Sequence, residues 1–299
     1  MMLFSIASSS LLIVNKVCLH VLPLPSFISL AQFVTASLTS MALMALGHVP
    51  LEPWEWRKAK PYCIYVAMFV ATIYCNMRAL QHSNVETVII FRACCPLVVC
   101  YLEWAFMGRA LPSARSCLAL LTLVIGVAGY VLTDKSFQLN GFAAYSWVTA
   151  YFIIISVEMC WGKHIVGESL GFKSSWGPTL YTNTISIPPM LTIGLVTHEP
   201  LIAYHAAWSA GAIALLGLSC VIGVAISYLG FRARALVTAT CYTVLGVANK
   251  MATVLINVLL WDQHASAAGI FFLTICLIGD CLGWPLIVFL TICLIGDCL

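Results

Sequence analysis

The chain has 299 residues, 62% of them hydrophobic and only 8% charged, with a formal net charge of +3. A soluble domain carries about 25% charged residues, so a water-soluble fold of this length could not cover its apolar surface with so few charges. In lipid the burden reverses: apolar side chains face outward and the backbone must satisfy itself within helices. The small net charge gives no argument for a nucleic-acid partner, and none is expected. The 14 cysteines follow no metal or disulfide spacing. Cys94-Cys95, Cys276 and Cys281 sit inside apolar runs, where cysteine behaves as a small polarisable hydrophobe. No metal site and no cofactor are expected.

A membrane span needs about 20 mostly apolar residues. Taken in chain order, ten stretches qualify: 3–22, 25–47, 61–79, 85–107, 115–133, 142–161, 175–197, 208–230, 237–260 and 267–283. The first begins so close to the start, and holds Asn15-Lys16, that it reads as a retained helix and not a removable signal. Breakers separate the spans, among them Leu22-Pro23-Leu24-Pro25, Gly108 to Pro112 and Trp261-Asp262-Gln263-His264. Pro188-Pro189 falls inside the seventh span, where it is expected to kink the helix and free carbonyls. With both termini in the cytosol, nine Lys/Arg fall in cytosolic connectors and one, Lys135, on the other side. That asymmetry follows the positive-inside rule.

The expected organisation is one ten-helix domain over residues 1–283, followed by a short segment, 284–299. Phe272 to Leu282 recurs word for word at Phe289 to Leu299. The run after Pro285 would make about 21 Å of helix, short of a bilayer core of about 30 Å. Residues 284–299 are therefore read as an appendage without function.

A charge inside the bilayer costs about 2.5–3.5 kcal/mol on insertion scales, so the intramembrane cations are the first candidates for chemistry. Counted from the non-cytosolic edge, Lys16 lies about 9 Å deep, Arg92 about 10 Å and Lys250 about 15 Å. Three cations from three spans thus fall in one slab. Facing one cavity they would form a phosphate-binding pocket; the alternative is pairing with Glu86, or snorkelling, which fits Arg78 equally well. Asn15 and Asn249 each precede a lysine, and substrate binding and helix–helix hydrogen bonding explain them equally. Tyr181 and Asn183 offer a ring and a polar edge for a base, with packing as the alternative. Gly246 suits close helix approach. No Ser/His/Asp set, paired carboxylates or zinc-protease motif is present, so no enzymatic activity is expected.

Several strings in this order resemble a known family. They are Asn84-Val85-Glu86-Thr87 with Phe91-Arg92 and Pro96, then Ala144-Tyr145-Ser146-Trp147 with Glu158-Met159 and Lys163-His164, then Thr243 to Lys250 with Asn257 and Trp261 to Ser266. From about Leu11 to Gly279 the chain resembles the drug/metabolite transporter superfamily, in its nucleotide-sugar and triose-phosphate translocator branch. Within that branch it is similar to plant Golgi GDP-sugar transporters. The resemblance implies an all-α fold of ten transmembrane helices in two inverted five-helix halves. It implies a Golgi-membrane antiporter that exchanges a nucleotide-sugar, best GDP-mannose or another GDP-sugar, for the nucleoside monophosphate, and leaves room for a homodimer. The family's Gly-Ala-Leu-Asn-Lys corresponds to Gly246, Val247, Ala248, Asn249 and Lys250, implying contact with the sugar side. Its Phe-Tyr-Asn-Asn corresponds to Leu180, Tyr181, Thr182 and Asn183, implying contact with the base. Thr182 departs from that pattern, because a hydroxyl cannot present an amide's paired donor and acceptor. The substrate-binding set expected is therefore Asn15, Lys16, Arg92, Tyr181, Asn183, Gly246, Asn249 and Lys250. A UDP-sugar transporter and a translocator of smaller organic phosphates, such as triose phosphate, are the alternatives.

Overall fold

The computed structural model describes residues 2–50, 54–95, 98–99, 101–102, 105, 114–133, 145–165, 172, 174–206, 208–236 and 267–282. Among these residues there is no strand. The helices are α1 (Met2–Val21), α2 (Pro25–Ala45), α3 (Trp56–His82), α4 (Val85–Ala93), α5 (Ala114–Thr133), α6 (Ser146–Ile165), α7 (Trp176–Val196), α8 (Glu199–His205), α9 (Ala210–Leu236) and α10 (Ala267–Leu282). Apart from α8, each overlaps a span expected from the sequence, α4 covering only the first nine residues of 85–107. The expected span 237–260 lies outside the described residues. Helical backbone also recurs at 95, 98–99, 101–102 and 105, along the stretch assigned to the fourth span.

The proline-rich turn sets the first reversal. Pro23 cannot continue α1, and Pro25 starts α2 at the position where its missing N–H costs nothing. The 21 residues of α2 make about 31 Å of helix, which matches a bilayer core. By length and composition Pro25–Ala45, Tyr62–His82 and Ala210–Ala233 each suffice to cross a membrane. All-helical architecture with apolar outer faces is consistent with a polytopic membrane protein. Leu38, Met41, Ile64, Leu218 and Val221 are among the large apolar side chains pointing outward.

Packing alternates helix direction. The ends of α1 and α3 meet where Lys16 reaches Leu80 and Ser83, and the starts of α3 and α7 meet at Glu55 and Tyr181. Trp176, at the start of α7, stacks on Tyr228 in the last third of α9 (4.3 Å, 20°). Arg57, Lys58 and Lys60 at the start of α3 therefore share one end of the bundle with Arg232, which lies over the Tyr228 ring. We refer to this as the basic end. The principal helix pairs are α2 with α7, α1 with α9, α2 with α9, α3 with α6 and α7, and α5 with α10.

Small and hydroxyl side chains line the α2–α7 seam. Thr184 Oγ1 donates to Ser37 Oγ at 3.1 Å, and a Cβ on Gly194 would come within 3.3 Å of Ser26 Cβ. Such seams let backbones approach where lipid supplies no hydrophobic drive. The Phe272 ring lies against Gly129, leaving no room there for a Cβ between α10 and α5. α7 continues as helix through Pro188-Pro189.

The start of α2 is capped from far away in sequence. Its N-cap position holds Leu24, which has no side-chain acceptor. Glu199 fills the role: its two carboxylate oxygens accept from Ser26 N at 3.0 Å and Phe27 N at 2.9 Å. His198 just before it takes a left-handed backbone (φ 56°), turning the chain out of α7 so that α8 begins on the buried Glu199. A carboxylate at a helix N-terminus answers both the free N–H groups and the dipole. Glu199→Ala leaves two amides without acceptors and is expected to cost about 1–3 kcal/mol. A lower melting temperature in purified protein checks this, with Glu199→Gln expected to fall between wild type and Ala.

Candidate substrate site

α7 carries a polar buried face. Thr179, Tyr181, Thr182, Asn183 and Ser186 are all buried on it, although a helix in lipid gains nothing from burying polar atoms unless they are used. Some are satisfied locally: Asn183 Nδ2 donates to Thr179 O at 2.7 Å and Ser186 Oγ donates to Thr182 O at 2.6 Å. Thr182 Oγ1 is buried and finds no hydrogen-bond partner among the described residues. On α3, which packs against α7, Thr72 Oγ1 and Asn76 Oδ1 stand in the same condition. They are one helical turn apart, so they share a face. Sequence reasoning missed this pair, because two uncharged polar residues in a long apolar run carry no distinctive pattern.

Tyr181 is fully buried in an aromatic cluster at the basic end. Trp54 stacks on it, with centroids 4.7 Å apart and planes 12° apart. Tyr62 and Phe172 meet it edge-on, at 6.2 Å and 5.3 Å. Its hydroxyl accepts from Glu55 N at 2.8 Å. Trp54 is a second feature the sequence did not single out. Its position just ahead of α3 reads as an ordinary interfacial tryptophan.

Lys16 lies at the opposite end. Its ammonium donates to Leu80 O at 2.6 Å and Ser83 O at 2.7 Å, carbonyls in the last turn of α3 that have no N–H ahead of them in the helix. The negative end of the α3 dipole favours a cation there. Glu86 in the first turn of α4 is near enough to interact with Lys16 electrostatically. Arg78 and His82 share this region with Lys16, and the Arg78 guanidinium lies 5.1 Å from the centre of the Trp147 ring. The ammonium therefore pins the α3–α4 turn.

Asn15 is tied into a helix–helix junction. Gln32 Nε2 donates to Asn15 Oδ1 at 2.9 Å and to Ser219 Oγ at 2.5 Å, and Ser219 Oγ donates to Asn15 Oδ1 at 2.9 Å. This triad joins α1, α2 and α9. Gly223 gives it room, since a Cβ there would come within 3.2 Å of the Gln32 side chain. Arg92 is exposed at the end of α4, near enough to the buried Tyr151 hydroxyl on α6 to interact with it electrostatically. The described contacts do not join Arg92 to Lys16, although α1 and α4 touch. Gly246, Asn249 and Lys250 lie outside the described residues.

The Lys16 contacts have a measurable consequence. Lys16→Met leaves two carbonyls without their donor and removes the charge facing Glu86; a loss of about 1–3 kcal/mol is expected, read as a lower melting temperature. Lys16→Arg retains charge and donors and is expected to fall less.

Comparison with known proteins places this geometry in a family. No family model matches the chain. It is 35% identical over 282 residues to GDP-fucose transporter 1 of Arabidopsis thaliana, covering 91% of this chain and 81% of that protein. It is 31% identical over 287 residues to the GDP-mannose transporter GONST3 of the same plant, covering 92% and 74%. Among solved structures, one crystal structure superposes with a TM-score of 0.60 at 14% identity, over 95% of this chain and 96% of the other, which supports the fold alone. Identity above 30% over nine-tenths of the chain, to relatives that are transporters, shows that this chain belongs to the nucleotide-sugar transporter family that includes the GDP-fucose and GDP-mannose transporters.

Proposed function

We propose that the chain is an antiporter that carries a GDP-sugar into the Golgi lumen and returns the nucleoside monophosphate. The observation that carries this reading is the 35% identity across 91% of the chain to a transporter of that substrate class. The fungal GDP-mannose transporter of Komagataella pastoris, 24% identical over 75% of the chain, points to the same class at greater distance.

The packing supports ten spans in two inverted halves. Take α1 to α5 as one half, and α6, α7, α9, the span 237–260 and α10 as the other. Exchanging the halves turns the α1–α9 pair into α6–α3, and α3–α7 into α9–α2. The α2–α7 and α5–α10 pairs map onto themselves. All of these pairs are present. Five is odd, so the second half starts at the other face, as an inverted repeat requires. The basic end is the cytosolic one under the positive-inside rule.

In this reading Lys250 and Asn249 bind the phosphate and sugar side, with Gly246 letting the substrate approach. Tyr181 and Asn183 take the base. Asn15, Lys16 and Arg92 complete the set from the first half. Antiport follows from charge: an empty cationic site resists crossing the bilayer, and either anion lowers that barrier. A homodimer is compatible with the apolar outer faces.

The test is exchange in proteoliposomes preloaded with GMP or UMP, challenged with GDP- and UDP-sugars and with triose phosphate. Faster uptake of GDP-sugars against GMP is expected; preference for triose phosphate against inorganic phosphate would overturn the assignment. In the same assay Lys250→Ala is expected to abolish uptake while leaving a folded protein, and Lys250→Arg to retain part of it, because a lysine binds phosphate chiefly as a point charge. Near-normal uptake by Lys250→Ala would remove the residue from the site. Thr182→Asn is expected to raise the preference for GDP- over UDP-sugars; an unchanged ranking would count against α7 as the base reader.

A further inference from the structure

The stack on Tyr181 has the shape of a bound ligand. Indole and purine share a fused six- and five-membered outline, and Trp54 lies over Tyr181 at 4.7 Å and 12°, the offset-parallel geometry in which flat rings attract. The neighbouring rings of Tyr62 and Phe172 meet Tyr181 edge-on, so they form the walls of a slot whose flat partner is Trp54. We propose that Trp54 occupies the stacking face of Tyr181 in place of the substrate's nucleobase, and that a nucleotide arriving from the basic end displaces it. This rests on the reading that Tyr181 meets the base, and it adds Trp54 as a residue that sets apparent affinity.

Three observations make Trp54 displaceable. It is 45% exposed although stacked, whereas Tyr181 is 0% exposed. Its indole N–H makes no hydrogen bond among the described residues. It precedes α3, whose N-cap, Glu55, makes no side-chain cap hydrogen bond, so the Trp54 backbone can swing without breaking a helical turn. Among the described residues the segment is held by a backbone contact, Glu55 N to Tyr181 Oη at 2.8 Å, by the Lys58–Glu55 ion pair at 3.3 Å and by the edge contact of Trp54 with Trp56 at 6.2 Å, which moves with the same stretch of chain. The ion pair joins a half-buried Lys58, whose ammonium also lies 5.4 Å from the Phe172 ring centre, to a more exposed Glu55 within one helical turn, and it holds Glu55 without touching the Trp54 indole. Base–aromatic stacking is tolerant of which ring supplies the face, so one Tyr181 face serves an indole and a base in turn. The cations that follow, Arg57, Lys58 and Lys60, lie within six residues of Trp54, where they attract a phosphate-bearing ligand toward the slot.

The experiment measures inhibition of GDP-mannose exchange in proteoliposomes by GMP and by ribose 5-phosphate, which keeps the phosphate and lacks the base. Trp54→Ala and Trp54→Leu remove the competing ring; Trp54→Phe keeps a flat one. The inhibition constant of GMP is expected to fall about two- to tenfold in the Ala and Leu variants, the worth of one aromatic stack, and to change little in Phe. Ribose 5-phosphate inhibition should stay at the wild-type value in all three. Melting temperatures on the same preparations identify a variant that has misfolded, and Leu keeps bulk should Ala do so. A GMP constant that is unchanged or raised in a folded Ala or Leu variant overturns the proposal while the transport assignment stands. Wild-type protein that exchanges no GDP-sugar overturns both.

Discussion

Charge inside this bundle is held by helix ends. Lys16 places its ammonium on the free carbonyls that finish α3, and Glu199 places its carboxylate on the free amides that begin α2. Each turns a double liability, a buried charge and an unsatisfied helix terminus, into one charge-assisted contact. Both lie at the end away from Arg57, Lys58 and Lys60. There the two contacts fix the α1–α2 and α3–α4 turns and bring the α7–α8 corner onto the start of α2. The alternation of helix direction, and with it the placing of the polar α7 face, depends on these turns staying where they are.

The two ends are therefore closed by different physics. Hydrogen bonds to a charged group contribute about 1.5–3 kcal/mol each and are directional. At the basic end, the described contacts are chiefly rings around Tyr181, each about 0.5–1.5 kcal/mol beyond the area buried, joined by the Glu55 N–Tyr181 Oη bond and the Lys58–Glu55 pair. As proposed, the Trp54–Tyr181 stack is the contact at that end which a nucleotide displaces, and it lies beside Arg57, Lys58 and Lys60.

Most of the fold was legible because lipid leaves the sequence little freedom. Long apolar runs, proline turns and the Lys/Arg imbalance located α1, α2, α3, α5, α6, α7, α9 and α10 to within a few residues. What stayed hidden was every contact between residues distant in sequence. Nothing around Glu199 marks it as the cap of a helix 173 positions earlier, and the missing cap at Leu24 signals a need without naming its source. Asn15 was readable as substrate ligand or junction, and the junction partners Gln32 and Ser219 are unremarkable in their own segments. Lys16 was readable as a phosphate ligand because its depth was countable; its contacts with two backbone carbonyls were not readable, since no side-chain pattern advertises them. Thr72 and Asn76 become visible only once the structure shows their oxygens buried without partners among the described residues, as Thr182 Oγ1 is.

Those orphaned oxygens bear on how α7 could read a base. An asparagine amide offers an acceptor and two donors, a threonine hydroxyl a single donor and two lone pairs. Where the family pattern has two consecutive amides, this chain has Thr182 and Asn183, and the Asn183 amide already spends one N–H on Thr179 O. If α7 meets the base, its edge contacts come down to Asn183 Oδ1, its remaining N–H and the Thr182 hydroxyl. Discrimination by hydrogen bonding is strong only where a wrong ligand leaves buried groups unpaired. A hydroxyl that rotates to suit either a donor or an acceptor exacts less of that penalty than a fixed amide. More of the binding energy then falls to the face of the base, through Tyr181, and to the phosphates, through the cations. On that reading the site would rest on the face of the base more than on its edges, so a ring that competes for the Tyr181 face would weigh more heavily in the affinity for any nucleotide than in the choice among bases.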